Sequence, residues 1–345
     1  MAYEIEGFLD CVCESARPRF PASSVLSGET DHKTWRDSLR NALTRVIGGF
    51  PADPPALGVK IVRTSKPGGV TRHFIEYQSQ NCLTTPGYYL VPDEPLPGNP
   101  AVVAVTGHGY GVDDIVGIRP DGADYGEGDE LSYQKRFGLA LCRRGFHVLA
   151  PEMAGFGHMR LAGDKAAHPD QTSCHQLSTR LLMAGSTTAA VRVYQCMRAI
   201  DALTELRGAD KNRVGCMGIS GGGLVTAFLA ALDDRVKACV VSGYASRFRT
   251  SVLAVKGHCV DNFFFGALNV CELPDILSAV APRPMLWEAA EGDDIFPIAS
   301  VMDAAGEVEK MYGFLKAPEM FEVDVFTGGH QISGRRSYDF LAEHL

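Results

Sequence analysis

Val214-Gly215-Cys216-Met217-Gly218-Ile219-Ser220-Gly221-Gly222-Gly223-Leu224 is the stretch on which the reading of this chain turns. An apolar, strand-like run stops at Gly218-Ile219-Ser220-Gly221-Gly222, and an Ala- and Leu-rich helical run from Leu224 to Leu232 follows at once. This is a G-x-S-x-G pattern in a strand-turn-helix setting. Such a turn holds the serine at strained backbone angles, and glycines two residues before and after it leave room for neighbouring chain. Ser220 Oγ is expected to project from the sheet edge, with a helix N-terminus behind it that favours developing negative charge. A chain with 37 glycines produces such strings by chance, so the pattern acquires meaning only from its surroundings.

Those surroundings read as alternating strands and helices. Ala101–Thr106, Gly145–Ala150, Arg213–Met217, Val236–Val241, Pro284–Trp287 and Glu322–Phe326 are short apolar runs. Between or after them lie helical stretches at Ser132–Arg144, Thr187–Leu206, Ile298–Leu315 and Tyr338–Leu345. Apolar strands alternating with helices predict an α/β protein with a mostly parallel sheet covered on both faces. Upstream, Val59–Arg63, Phe74–Tyr77 and Gly87–Val91, separated by turn signals such as Pro67-Gly68-Gly69, predict antiparallel edge strands. Residues 1–50 read as a helical N-terminal arm, with Trp35, Leu39, Leu43 and Val46 at helical spacing. Residues 51–345 read as one catalytic domain, interrupted by long irregular loops at 153–183 and 242–273. Loops of that length are usually lids, binding loops or disordered, and the aromatics and histidines in these two argue against disorder.

Composition narrows the function classes. With 46% hydrophobic and 21% charged residues the chain is that of a soluble globular protein. A net charge of -8 without basic clusters argues against nucleic acid and against anionic membranes as partners. The acidic start, Met1-Ala-Tyr-Glu-Ile-Glu, is unlike a secretory leader, so a cytoplasmic location and a small-molecule substrate are expected. Homo-oligomerisation stays open. Among the ten cysteines, Cys142, Cys196, Cys216 and Cys239 fall in apolar runs and read as small buried hydrophobes. Cys11-x-Cys13 and His258-Cys259 lack a second pair at zinc-site spacing, so neither a metal nor an organic cofactor is expected.

A serine hydroxyl needs a base, and the base needs an orienting acid. In chain order Ser, acid, His, the candidates are Ser220, then Asp293 or Asp294 in Glu291-Gly292-Asp293-Asp294-Ile295-Phe296-Pro297, then His330 in Thr327-Gly328-Gly329-His330. Each follows a predicted strand. Asp293 is preferred because it stands four residues before Pro297, against the competing reading that one of the two aspartates merely caps the helix starting near Pro297. The oxyanion donors are expected from the amide of Gly221 and from Gly107-His108-Gly109-Tyr110-Gly111, with His108 favoured over Tyr110. Tyr110, Tyr244, His258 and Phe264 are candidate substrate contacts. The Phe263-Phe264-Phe265 run suits either an apolar acyl group or core packing.

With these residues placed, the chain resembles α/β-hydrolases of the dienelactone hydrolase and acetyl xylan esterase-like group. The resemblance rests on Trp35-Arg36-x-x-Leu39-Arg40, on Arg143–Glu152 with Ala154–Gly157, and on Arg213–Gly223. It continues through Val241–Tyr244 with His258-Cys259, then Ala281-Pro282-Arg283-Pro284, Asp293 and Gly328-Gly329-His330. Thr106 stands where that group usually has a histidine. The resemblance implies a carboxylesterase or deacetylase working through an acyl-enzyme on Ser220. The same triad also serves peptidases, thioesterases and carbon–carbon bond hydrolases, and a binding protein could keep the fold.

Overall fold

The computed structural model describes residues 5–255 and 257–345. Residues 1–4 of the expected arm and Lys256 of the second loop lie outside them. The strands are β1 (Lys60–Ser65), β2 (Val70–Gln80), β3 (Leu83–Pro92), β4 (Ala101–Val105), β5 (His147–Pro151), β6 (Val214–Ile219), β7 (Val236–Ser242), β8 (Met285–Ala290) and β9 (Phe321–Phe326). They form one sheet in the order β1-β2-β3-β5-β4-β6-β7-β8-β9. The expected antiparallel edge is present, since β1, β2, β3 and β5 pair antiparallel. From β5 to β9 every pairing is parallel.

The central strands are buried at every position. That is the reason they read as continuous apolar runs: a parallel strand with helices on both faces has no polar side. Helices Thr188–Ala202, Gly221–Leu232 and Ile298–Phe314 contribute to one apolar layer, and Phe137–Arg143 and Ser337–His344 to the other. The helix expected from Ser132 begins only at Phe137. Ser132 and Gln134 instead spend their polar groups on Asp114, which holds the segment as a turn.

In the arm, helix His32–Val46 buries Trp35, Leu39 and Leu43, as its spacing predicts. They join the main core, and Arg40 hydrogen-bonds the Ala231 carbonyl at 2.6 Å. Helix Ile5–Ser15 buries no residue. The two long loops are less irregular than expected. The first contains helix Cys174–Met183, and the second contains helical turns at Phe248–Val252, Val260–Asn262 and Ala267–Asn269. Helix Cys174–Met183 escapes a sequence reading because Cys174 and Ser178 are its only buried residues, so it carries almost no apolar stripe.

Candidate active site

Ser220 ends β6 at φ 58° and ψ −122° and starts helix Gly221–Leu232. A non-glycine residue rarely sits there. The glycines around it are required by contact. A Cβ at Gly218 would lie 2.4 Å from the Gly222 carbonyl oxygen, and one at Gly222 would lie 2.1 Å from that of Val105. The helix can therefore start directly against β4 and β6, with its first amides free at the end of the sheet.

The parallel strands deliver the remaining groups to that edge. Asp293 follows β8 and His330 follows β9. Asp293 Oδ2 lies 2.7 Å from His330 Nδ1, while Asp293 Oδ1 accepts from the amides of Ile295 at 2.9 Å and Phe296 at 3.0 Å. Asp293 is buried, whereas Asp294 is exposed. The acid and histidine loops are tied together by bonds from the Glu291 amide to the Phe326 carbonyl and from Gly292 to Gly328, both at 2.9 Å. Buried Glu288 holds the far side of the histidine loop by accepting from the Ser333 and Gly334 amides.

His330 is a ring between two rings. Tyr133 stacks on it at 5.4 Å and Phe296 at 5.8 Å. Gly243 faces it, and a Cβ there would come within 2.9 Å of His330 Cε1. The Nε2 atom is buried and has no partner among the described residues. Ser220, Gly221, His330, Tyr133 and Phe296 line one cavity of about 280 Å³. The Tyr133 hydroxyl donates to the His108 carbonyl at 2.6 Å.

The loop after β4 is pinned from one side chain. Gln134 Oε1 accepts from the Gly107 amide at 2.7 Å and from the Thr106 hydroxyl at 3.0 Å. The buried Thr106 hydroxyl is thereby satisfied. The His108 and Gly221 amides donate to no protein acceptor among the described residues. The His108 ring is engaged elsewhere. Its Nε2 lies 3.3 Å from Asp261 Oδ2. Burial pulls its pKa down, but hydrogen bonds to Asp261 and Cys174 outweigh burial and raise it to about 9.

Of the four candidate substrate contacts, Tyr244 and His258 line the Ser220 cavity. Tyr110 does not; it borders a separate cavity with Asp113 and His158. Phe264 does not either. It is 8% exposed and packs on Phe228 at 5.5 Å, so the middle of the triple Phe is core while Phe265 is 94% exposed. Sequence reasoning missed Tyr133, Phe296 and Asn262 as cavity residues. Only Phe296 carried a signal, since it lies three residues after Asp293.

No family model matches the chain. YtaP of Bacillus subtilis (strain 168), which carries a provisional hydrolase name, is 25% identical over 311 residues, spanning 86% of this chain and 94% of its own. A solved Bacteroides fragilis NCTC 9343 protein provisionally named an acetyl xylan esterase is similar with a TM-score of 0.76 and 16% identity, over 95% of this chain and 83% of its own. A glucuronoyl esterase from Solibacter usitatus is similar with a TM-score of 0.67 and 16% identity, over 90% of this chain and 93% of its own. Among the described residues no helix is long and apolar enough to cross a membrane. The nine-stranded sheet, the turn at Ser220 and these likenesses together identify the architecture of this chain as the α/β-hydrolase fold.

Proposed function

We propose that this chain is a serine hydrolase that cleaves a carboxylic ester of a small molecule through an acyl-enzyme on Ser220. The observation that carries the reading is His330. Its Nδ1 is held by Asp293 at 2.7 Å, and its buried Nε2 is left without a partner in the cavity that Ser220 lines. An imidazole so arranged keeps its basic nitrogen for an incoming hydroxyl proton.

Nε2 takes the Ser220 proton as Oγ attacks the ester carbonyl. The oxyanion falls to the amides of Gly221 and His108, and losing one such donor costs about 3 kcal/mol. The imidazolium, stabilised by Asp293, returns the proton to the leaving alcohol. Water then repeats the sequence on the acyl-enzyme and frees the acid. Tyr133 and Phe296 restrict the His330 ring to the plane this requires.

Two features bear on substrate. At about 280 Å³ the cavity falls just below the ~300–1,000 Å³ typical of pockets for drug-sized ligands, which favours a short acyl group. Tyr244 Oη, His258 Nε2 and Asn262 Oδ1 are buried polar atoms without partners among the described residues, and all three residues line the cavity. Buried polar groups need partners, so a substrate rich in hydroxyl groups suits them. Similarity to structures named acetyl xylan esterase and glucuronoyl esterase supports the same choice.

The test is Ser220→Ala assayed on p-nitrophenyl acetate and an acetylated sugar, together with fluorophosphonate labelling of the parent chain. Turnover and label should both vanish in the variant. Retained turnover would sink the assignment.

A further inference from the structure

The His108 side of the cavity carries a second group of side chains that ester hydrolysis does not use. His108 comes from the loop after β4, Cys174 opens helix Cys174–Met183, and Cys259 and Asp261 belong to the turn around Val260–Asn262. Their imidazole, thiol and carboxylate ligand atoms all lie within 4.8 Å of one another. His108 Nε2 is 3.3 Å from Asp261 Oδ2. Cys174 Sγ is 3.6 Å from His108 Nε2 and 3.4 Å from Asp261 Oδ2.

These three distances have the lengths of one face of a coordination tetrahedron, and the fourth corner, Cys259 Sγ, lies within 4.8 Å of each of the other ligand atoms. Nitrogen and oxygen about 2.05 Å from a zinc ion, and sulfur about 2.3 Å from it, stand about 3.3 Å apart for N–O and about 3.6 Å apart for S–N and S–O. The observed edges agree to about 0.2 Å. We propose that His108, Cys174, Cys259 and Asp261 bind one divalent ion of the zinc type in a closed, four-ligand site.

Two thiolates and an imidazole select a zinc-like ion over calcium or magnesium, which take oxygen donors. Charge also balances. Two thiolates and one carboxylate bring three negative charges, which the ion and Arg192 together offset. Arg192 is buried and donates to Asp261 Oδ2 at 2.5 Å and to Cys174 Sγ at 3.1 Å. Arginine contacts of this kind orient ligand atoms from outside the coordination sphere. On binding, the ion displaces to solvent whatever protons the Cys174 and Cys259 thiols and the ligating His108 nitrogen carry.

Four protein ligands leave no open position, so the ion is structural and does not activate water. It joins segments that lie 66 and 87 residues apart along the chain. One of them carries the His108 amide. The site is independent of whether Ser220 hydrolyses esters, and its readouts are metal content and absorption.

The full chain, purified under reducing conditions from zinc-supplemented medium, should hold about one zinc per molecule by mass spectrometry of the elements. Removing zinc with a chelator and adding Co2+ should produce sulfur-to-cobalt charge-transfer absorption and the visible bands of tetrahedral cobalt. In Cys259→Ser, with circular dichroism verifying the fold, metal content should fall at least about tenfold under chelator competition. Three results would each overturn the proposal. They are a parent chain that takes up neither ion, a parent chain isolated with Cys174 and Cys259 in a disulfide, and a Cys259→Ser protein with unchanged metal content. If Cys259→Ser does not fold, cobalt absorption of the parent chain decides alone.

Discussion

Two histidine–carboxylate pairs adjoin the Ser220 cavity, and they differ in which ring nitrogen is held and in what else holds it. In the His330–Asp293 pair the carboxylate takes one ring nitrogen and the other is buried and free. In the His108–Asp261 pair Nε2 meets both a carboxylate and a thiol, and Arg192 holds the carboxylate from behind. A base needs an unoccupied nitrogen within reach of the nucleophile. In His330 the nitrogen left over is the buried Nε2, in the cavity that Ser220 lines, whereas in His108 Nε2 is spent on Asp261 and Cys174 and the nitrogen left over is Nδ1, which faces Gly221. Proximity of a histidine to a serine therefore says little until both nitrogens are accounted for.

The largest effect separates the two rings directly. His330→Gln should lower kcat on a p-nitrophenyl ester by about 10⁶-fold, as removal of a triad histidine does elsewhere. His108→Gln should cost no more than displacing one oxyanion donor, about 10²- to 10³-fold. Equal losses in steady-state assays would break the distinction drawn here. One step down, Asp293→Asn should cost about 10⁴-fold in kcat by leaving His330 in the wrong tautomer. Its exposed neighbour is the control, since Asp294→Asn should leave kcat essentially unchanged and shift folding stability by no more than about 0.5 kcal/mol. A large loss at Asp294 would reassign the acid.

The smallest effect uses two glycines, each of which faces one ring. A Cβ at Gly243 would meet His330 Cε1 at 2.9 Å, and a Cβ at Gly221 would meet His108 Cε1 at 3.0 Å. Gly243→Ala should displace the base and lower kcat by about 10- to 100-fold, the cost of roughly 1 Å of misplacement. Gly221→Ala should instead perturb the oxyanion loop, with a smaller fall in kcat and weaker metal retention. Stopped-flow acylation and deacylation rates would distinguish the two, and a reversed order would count against the roles given to the rings.

Legibility in the sequence followed the same division. Ser220, Asp293 and His330 could be nominated because each stands just after an apolar run, and parallel strands bring such positions to one edge. The preference for Asp293 over Asp294 came from its spacing to Pro297, and the physical difference is burial. Tyr133 could not be nominated, since it occupies a turn that looked like the start of a helix. Tyr110 and Phe264 were nominated for being aromatic and near the motifs. Their side chains lead to other places.

By itself the sequence determined the alternation of strands and helices, the antiparallel edge and the strained turn at Ser220. These depend on periodicity and on local sterics, which a few neighbouring residues specify. Only the tertiary structure decided which nitrogen of each histidine its carboxylate takes, and that Cys174 and Cys259 fall in one cluster with His108 and Asp261. Those facts depend on distances of about 3 Å between segments far apart in the chain. Packing of side chains sets such distances, and no local pattern records them.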